Sequence, residues 1–583
     1  MAFRRRSPAR SLASKPSLAA VLSLTIVPLA LVAPTAGADP DDRHPAGDGD
    51  AAGTGAHDVA GDAAGDGDVA APPRPGHHRL WRESFNGLAD DLARTDGYTH
   101  EGPRHWSVEI DPSMTGAGVA AWRGWSFTTR EFWVDAEDQK RGRFGRADQV
   151  IAVADSDEYA DTTDAPDGFD STLVSAPVRV RGRDRLELTF DSHYRQWAGQ
   201  AATVTVEFDG SGEQTTLMRR DETNTAQDDP ALINGTEVLA FDVPDGARQA
   251  VFRWRLEAPR NSWYWAIDSV AVRTPLPQAD PDDATSLWVV SDIQGHPGDL
   301  AHGLRDLHDV RPDASGLLMV GDLVNSGAAP EWREIDDVMA GAAGITPDPV
   351  VAAIGNHESY SDESWDTQKG RFLDFARRDK VWGEYVLHGD GGDVPVLVLG
   401  QEYPRPPEVG MSDEQVAWFD ERLDYWTRQR KQVVVITHFP LGDTVSASWI
   451  PWYHEHHGRN DQLTRILGDH PNAVLLTGHT HYPFESGDWA VRRRVPGGHP
   501  DGFVAVNTGA MHVEWDARGE STEGISEVVT RDINRGLTLD VHSDRIVVNA
   551  RDFGLPDADG DNDVNDVLRT VEIGNPLLPT GRR

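Results

Sequence analysis

The sequence predicts two folded parts in tandem, an antiparallel β-sandwich followed by an α/β domain. Three observations lead there. Before Thr274, short runs of alternating apolar and polar residues dominate, separated by Gly, Asp and Pro clusters, as expected of strands with one buried face. After Asp283 the apolar runs become continuous and alternate with stretches at helical spacing, as strands covered on both faces require. Finally, five short polar signatures in this second part each follow directly on an apolar run.

Residues 1–38 read as a secretory signal. Arg4, Arg5, Arg6, Arg10 and Lys15 make a basic start, Leu18 to Val32 an apolar run, and Ala36-Gly37-Ala38 a small-residue cleavage site. The run is shorter than the roughly 20 residues a spanning helix needs, and Pro28 interrupts it. The expectation is a secreted, extracellular protein with no membrane span, the signal being removed after about Ala38. Residues 39–78, rich in Asp, Gly, Ala and Pro, carry too little large apolar surface to offset ordering entropy and read as a disordered linker.

Residues 79–275 carry the sandwich pattern. Leu186, Leu188 and Phe190 alternate with polar residues, as do Val204, Val206 and Phe208 ahead of the turn Asp209-Gly210, and Phe252, Trp254 and Leu256. Ile267, Val270 and Val272 end the segment. The opening Glu83-Ser-Phe-Asn-Gly and the closing Trp263 to Asp268 resemble the ends of jelly-roll modules of secreted bacterial enzymes and adhesins. Nine of the nineteen Trp fall here; they read as core residues rather than as a sugar-stacking platform. Pro275 to Asp283 forms a linker, and the next domain is expected to fold without the sandwich.

The α/β domain is assigned to residues 284–552. Strands are predicted at Leu287–Val290, Leu317–Val320, Val350–Ile354, Val396–Leu399, Val433–Ile436, Ala473–Leu476 and Phe503–Val506. Leu300, Leu304 and Leu307 share one helix face. Ser412, with Gln415 three residues on, reads as a capping box opening a helix that carries Val416, Trp418, Phe419 and Leu423. A hairpin of 537–541 and 546–548 closes the domain, leaving 553–583 as an acidic tail.

Composition excludes some roles. The formal net charge is −40, and removal of the basic leader makes the remainder more negative still. Such a surface repels a phosphate backbone, so no nucleic-acid polymer is expected as a partner. Cysteine is absent, so stability rests on burial and on any bound metal rather than on disulfides.

The signatures carry the chemistry. Ser-Asp-Ile-Gln at 291–294, Gly-Asp at 321–322, Gly-Asn-His-Glu at 355–358, Thr-His at 437–438 and Gly-His-Thr-His at 478–481 offer carboxylate, amide and imidazole groups from five strand ends. In this order they resemble the calcineurin-like metallophosphoesterases, whose pattern is Asp-x-His, Gly-Asp, Gly-Asn-His-Asp/Glu, His, Gly-His-x-His. The resemblance spans roughly residues 286–550. It implies a four-layer α/β/β/α sandwich with two metal ions at the strand ends, and hydrolysis of phosphate mono- or diesters by an activated hydroxide.

On that resemblance Asp322 bridges the ions, Asp292 and His481 serve one, and Asn356, His438 and His479 the other. Mixed N and O ligands suit Fe, Mn or Zn. His357 would face the leaving oxygen as general acid or as positive charge. Two departures stand out. The first motif ends in Gln294 where the family has His, so Gln294, or else His296 two residues on, completes that ion's shell. The segment Gly-Asp-Leu-Val-Asn-Ser-Gly at 321–327 also puts Asn325 where protein phosphatases have the Asp that orients the catalytic His, and Ser326 where they have a phosphate-gripping Arg.

Weaker signals complete the reading. His454 and His456, in an aromatic segment after the His438 strand, are candidates with Asn325 for substrate contact. Glu358 reads as orienting its neighbours. Glu83 and Asp268 are candidates for a structural calcium; Asp557 to Asp563 has alternating carboxylates but lacks the closing Glu of a calcium loop. Small phosphoesters are the expected substrates, and the sandwich is a candidate for glycan or protein contact. The alternative in another class is a non-catalytic surface adhesin that retains a relict metal site.

Overall fold

The structure, a computed structural model, describes residues 79–114, 118–162, 168–227, 233–259, 261–405, 408–450, 453, 457–518, 527–555 and 564–578. The expected signal, the 39–78 linker, His454, His456 and the 557–563 loop lie outside the described residues. Those described fall in one compact unit, Pro72–Arg583.

The first part is a sandwich of two antiparallel sheets. One runs Asn234–Asp242, Arg185–Tyr194, Tyr264–Arg273, Ile151–Asp155, Ser126–Thr128, Tyr98–Thr99, with Arg79–Glu83 also paired to Tyr264–Arg273. The other runs Gln214–Asp221, Ala201–Phe208, Gln249–Pro259, Gly168–Val174, Ser107–Ile110, with Val178–Arg179 also paired to Gln249–Pro259. The alternating residues singled out above, Leu186, Leu188, Phe190, Val204, Val206, Phe252, Trp254 and Leu256, all enter the shared core. Trp106, Trp122, Trp125, Trp133, Trp254 and Trp265 are buried there, and of the sandwich's Trp only Trp197 is exposed. Core packing is therefore what most of these rings do.

The second part is four layers deep. Its strands are β1 (Thr285–Val290), β2 (Leu317–Val320), β3 (Val350–Ala353), β4 (Gly383–Leu387), β5 (Val394–Val398), β6 (Val433–Ile436), β7 (Ala473–Thr477), β8 (Ala490–Arg493), β9 (Phe503–Asn507), β10 (Arg535–Val541), β11 (Arg545–Asp552) and β12 (Asp566–Gly574). They form two six-stranded sheets, β3-β2-β1-β10-β11-β12 and β4-β5-β6-β7-β9-β8. Helices α1 (Pro297–Val310), α2 (Ala329–Gly341) and α3 (Trp365–Ala376) cover the first sheet; α4 (Asp413–Arg428) and α5 (Asn460–Asp469) cover the second.

Strand periodicity produces the layers, because successive side chains point to opposite faces. Leu287, Val289, Leu318 and Val320 meet Val396, Val398, Val434 and Ile436 between the sheets. Their neighbours Trp288, Val290, Leu317 and Met319 pack outward on Leu300, Leu304, Leu307 and Trp332. On the far side Leu397, Val433 and Val435 pack on Val416, Phe419 and Leu423. Continuous apolar runs are thus needed to fill two cores, each large side chain contributing about 1.5–3 kcal/mol on burial.

Two local expectations are modified. Ser412 Oγ accepts from the Gln415 amide at 3.2 Å, but the Ser412 amide donates to Glu402 at 2.6 Å instead of to Gln415. Gln415 turns inward to the Gly400 carbonyl. The expected acidic tail contains a strand: β12 pairs antiparallel with β11 and extends the sheet edge, placing Ile573 in the inter-sheet core. The acidity of the surrounding residues hides this short apolar alternation. Among the described residues no helix is long and apolar enough to cross a membrane.

Candidate metal centre

Parallel pairing delivers the signatures to one place. Strands β1, β2 and β3 run parallel in one sheet and β6 and β7 in the other, so the residues following each strand emerge at the carboxyl ends. Asp292 and Gln294 follow β1, Asp322 follows β2, Asn356 and His357 follow β3, His438 follows β6, and His479 and His481 follow β7. Turning the chain so sharply has a conformational cost. Asp292, Gln294, Asp322, His479 and His481 all have positive φ, between 46° and 72°. Non-glycine residues there are strained by roughly 1–3 kcal/mol each and persist where the surroundings over-determine them, commonly at active sites. The motif glycines provide room: a Cβ on Gly355 would run into the Asp322 carboxylate, and one on Gly321 into the His438 ring.

Two groups of ligand atoms form, Asp322 with His438 and His479, and Asp292 with Asp322 and His481, each within 4.8 Å. Asp322 belongs to both. His438 Nε2 lies 3.1 Å from Asp322 Oδ2 and 3.1 Å from Asn356 Oδ1. His481 Nε2 lies 3.0 Å from Asp292 Oδ1. Gln294 stands at the same place, its Nε2 3.1 Å from His481 Nε2 and 3.4 Å from Asp322 Oδ2. His296 instead joins a separate group with Asp299 and His512.

The imidazoles are oriented from behind. His438 Nδ1 donates to the Val320 carbonyl at 2.9 Å, and His481 Nδ1 to the Val513 carbonyl at 2.7 Å. That leaves each Nε2 lone pair facing an acidic oxygen. Two lone pairs at 3.0–3.1 Å repel unless a proton or a cation lies between them. A backbone carbonyl on the far nitrogen is the usual support of a metal-ligating His, so this donor set fits two transition-metal ions.

The side-chain charges report the same polarity. Burial pushes the Asp322 carboxyl up, but His438, His357 and His479 overcome it and hold it well below the usual range. Burial pushes His438 down, and Asp322 with Asp292 raises it above the ordinary imidazole value.

Glu358 orients the site as expected. Its wholly buried carboxylate accepts from the amides of Leu323 and Gly355, both at 2.7 Å, and of Asp322 at 3.3 Å. It therefore ties the turn after β2 to the turn after β3. His357 is held by its amide, donating to Asp322 Oδ1 at 2.9 Å, and by Nδ1, donating to the Asn325 carbonyl at 2.7 Å. The contact from Asn325 is thus its backbone oxygen, although its side chain was the expected partner.

Further neighbours lie outside the five motifs, Tyr453 of the aromatic segment after the His438 strand among them. Tyr360 Oη accepts from Asn356 Nδ2 at 2.7 Å, and its ring lies 4.7 Å from that of His357. Trp515 stacks on His481 at 4.2 Å, and Tyr453 meets His479 edge-on at 5.1 Å. Tyr453 belongs to a cluster with Ala447, Trp449, Ile450 and Tyr482, and the sandwich braces this cluster. Arg143 lies over the Trp449 ring at 4.3 Å, Arg130 pairs with Asp443 at 2.8 Å, and buried Arg146 donates to the Gly487 carbonyl at 2.8 Å. Arg494 of the second part pairs with Asp191 of the first at 2.6 Å. Of the two calcium candidates, Glu83 accepts from the Phe85 amide and Asp268 from that of Asp148, both at 2.9 Å, and neither falls in a group of three ligand residues among the described residues.

Carboxylates, amides and imidazoles thus converge at the strand ends of a four-layer fold, in groups that could hold metal ions. Residues 285–483 match the family model described as calcineurin-like phosphoesterase, and this part of the chain is a domain of that family. No curated protein matches the chain. Among solved structures it is similar to purple acid phosphatase PPD1 from yellow lupin (Lupinus luteus) seeds, at 13% identity and TM-score 0.33, over 80% of this chain and 90% of that one. It is similar to the 5'-nucleotidase precursor from Thermus thermophilus at 14% identity and TM-score 0.26, over 43% and 54%. The K1 cleaved adhesin domain of Lys-gingipain from Porphyromonas gingivalis W83 matches at 13% identity and TM-score 0.22, over 34% and 98%.

Proposed function

We propose that this chain is an exported, metal-dependent hydrolase of small phosphate mono- or diesters. The observation that supports it best is the sharing of Asp322 between two imidazole-containing ligand groups. Asp292, Gln294, Asp322 and His481 would hold one ion of the Fe, Mn or Zn kind, and Asp322, Asn356, His438 and His479 the other. Such ions neutralise phosphoryl oxygens and make hydroxide available near neutral pH.

The chain's own groups do the rest. His357, with Nδ1 committed to the Asn325 carbonyl, has Nε2 4.0 Å from Asp322 Oδ2. A proton held on Nε2 passes to the departing oxygen of an alcohol leaving group. The exposed Asn325 and the proposed contacts His454 and His456 would meet the remainder of the substrate, and an acidic surface would keep polymeric nucleic acid away. The test is hydrolysis of an aryl phosphate by the purified chain before and after chelation. Tight metal binding with no hydrolysis of any mono- or diester would leave the non-catalytic adhesin reading in its place.

A further inference from the structure

After β3 the chain makes a single 3-10 turn, His357–Ser359, in which the Ser359 amide donates to the Asn356 carbonyl at 3.1 Å. So tight a turn brings residue 360 back beside residue 356. It is pinned from across the site as well, because the amides of Tyr360 and Ser361 both donate to the Ser326 carbonyl, at 3.0 and 2.6 Å. Tyr360 is therefore held by backbone bonds between the turns after β2 and β3, while the residue itself is 58% exposed.

Its hydroxyl reaches a group proposed above as a metal ligand. Asn356 turns Oδ1 toward His438 Nε2, at 3.1 Å, and Nδ2 toward Tyr360 Oη, at 2.7 Å. With ordinary amide bond lengths the phenol oxygen then lies at most about 5 Å from Asn356 Oδ1. A phenol both accepts and donates, so Oη, having accepted from Asn356, still has its own O–H to give. Two other hydroxyls on these turns are spent: Ser326 Oγ donates to Glu331 Oε1 at 2.7 Å and Ser359 Oγ to the Asn356 carbonyl at 3.1 Å.

We propose that Tyr360 contacts the substrate, its hydroxyl donating to a non-bridging oxygen of the phosphoryl group; this rests on the phosphoesterase reading of the strand-end site. Charge in phosphoryl transfer is spread over those oxygens, and a donor already aimed at them stabilises it without reorganisation. The proton stays on the tyrosine, and no bond to the ring is made or broken. Asn356 N–H, Tyr360 O–H and the phosphoryl oxygen form one chain of hydrogen bonds, in which each bond polarises the next. Tyr360 and His357, ring centroids 4.7 Å apart, thereby divide the substrate. His357 serves the oxygen that leaves, and Tyr360 one that stays.

Tyr360→Phe removes the hydroxyl and keeps the ring, at an exposed position that makes no demand on the core. Metal content, calorimetric binding of inorganic phosphate, and turnover of an alkyl phosphate and nitrophenyl phosphate are measured on the full chain and the variant. Metal content should not change, because water satisfies the exposed Asn356 amide. Phosphate should bind about 10-fold more weakly, and turnover should fall about 10–100-fold on both substrates alike. A donor to a non-bridging oxygen is indifferent to the leaving group, which sets this variant apart from His357→Ala. Equal phosphate affinity in the two chains, or none in either, would overturn the contact. A loss confined to the alkyl phosphate would place Tyr360 behind His357, and a loss of metal would place it behind Asn356; both overturn it too. Tighter phosphate binding by wild type with no hydrolysis of any ester would keep the contact and overturn the phosphoesterase reading instead.

Discussion

His357 Nδ1 donates to the backbone carbonyl of Asn325 at 2.7 Å, and this bond leaves Nε2 facing Asp322. The hydrogen bond at Nδ1 orients the ring and leaves Nε2 as the atom available to the leaving group. His357→Ala should therefore lose about 10²–10⁴ in rate on an alkyl phosphate, whose leaving group needs a proton, and far less on nitrophenyl phosphate. Asn325→Ala keeps the carbonyl and should preserve that contrast between substrates. Equal losses on both substrates would reduce His357 to positioning.

Gln294 turns its amide nitrogen toward His481 Nε2 and Asp322 Oδ2. Rotation of the amide by half a turn presents Oε1 to a cation instead. As a neutral oxygen it is a weaker ligand than imidazole for Fe, Mn or Zn. Gln294→His should change metal affinity at that ion by about 10–100-fold. Calorimetric titrations that do not distinguish the variant from wild type would place residue 294 outside the coordination shell.

Arg146 carries the case against independent domains. The Pro- and Asp-rich linker suggested that the second part folds alone, yet buried Arg146 donates to Asn234 of the sandwich and to Gly487 and Ala490 of the second part. Removing the guanidinium strands buried carbonyls, each worth about 1–3 kcal/mol. Arg146→Met should lower the melting temperature by several degrees and reduce turnover through the segment carrying Tyr453. A chain starting at Asp283 should be insoluble or inactive; a soluble chain with full activity would restore the independence that the linker suggests.

His193 gives the sandwich a pH dependence. Burial, with Arg143, Arg195 and Arg146 adding to it, pushes its imidazole down to about 3 despite the Lys140 carbonyl at 2.9 Å. The folded state thus binds the proton more weakly than the unfolded chain, whose His titrates near 6.5. Its contribution is present above pH 6.5 and is lost as pH falls toward 3, at about 1.4 kcal/mol per unit. Melting temperature should drop across pH 6.5 to 4, and His193→Gln should flatten that slope. An unchanged slope would assign the acid sensitivity to other groups.

Much of this architecture was legible because it depends on local pattern. Continuous runs such as Leu317 to Val320 must bury both faces, and five motifs at five strand ends can meet only where parallel strands end together. What escaped depends on chain-distant pairing. Nothing in the local sequence brings His296 against His512, Trp515 against His481, or Arg143 over Trp449. Strand β12 escaped because charged residues alternate with its few apolar ones and sheet pairing, not its own burial, makes it a strand. Asn325 was identified by its side chain although its carbonyl makes the contact, and residue type says nothing about backbone oxygens.

The central claim is that one carboxylate serves two ions that together make the site catalytic, and Asp322→Asn tests it most directly. Metal content and nitrophenyl phosphate turnover should be measured on the same preparations of wild type and variant, before and after chelation. Wild-type activity should vanish on chelation and return with Fe, Mn or Zn, while Asp322→Asn should bind less metal and lose roughly a thousandfold or more in rate. Near-wild-type turnover by Asp322→Asn with its full metal complement, or wild-type turnover that survives complete chelation, would contradict the account.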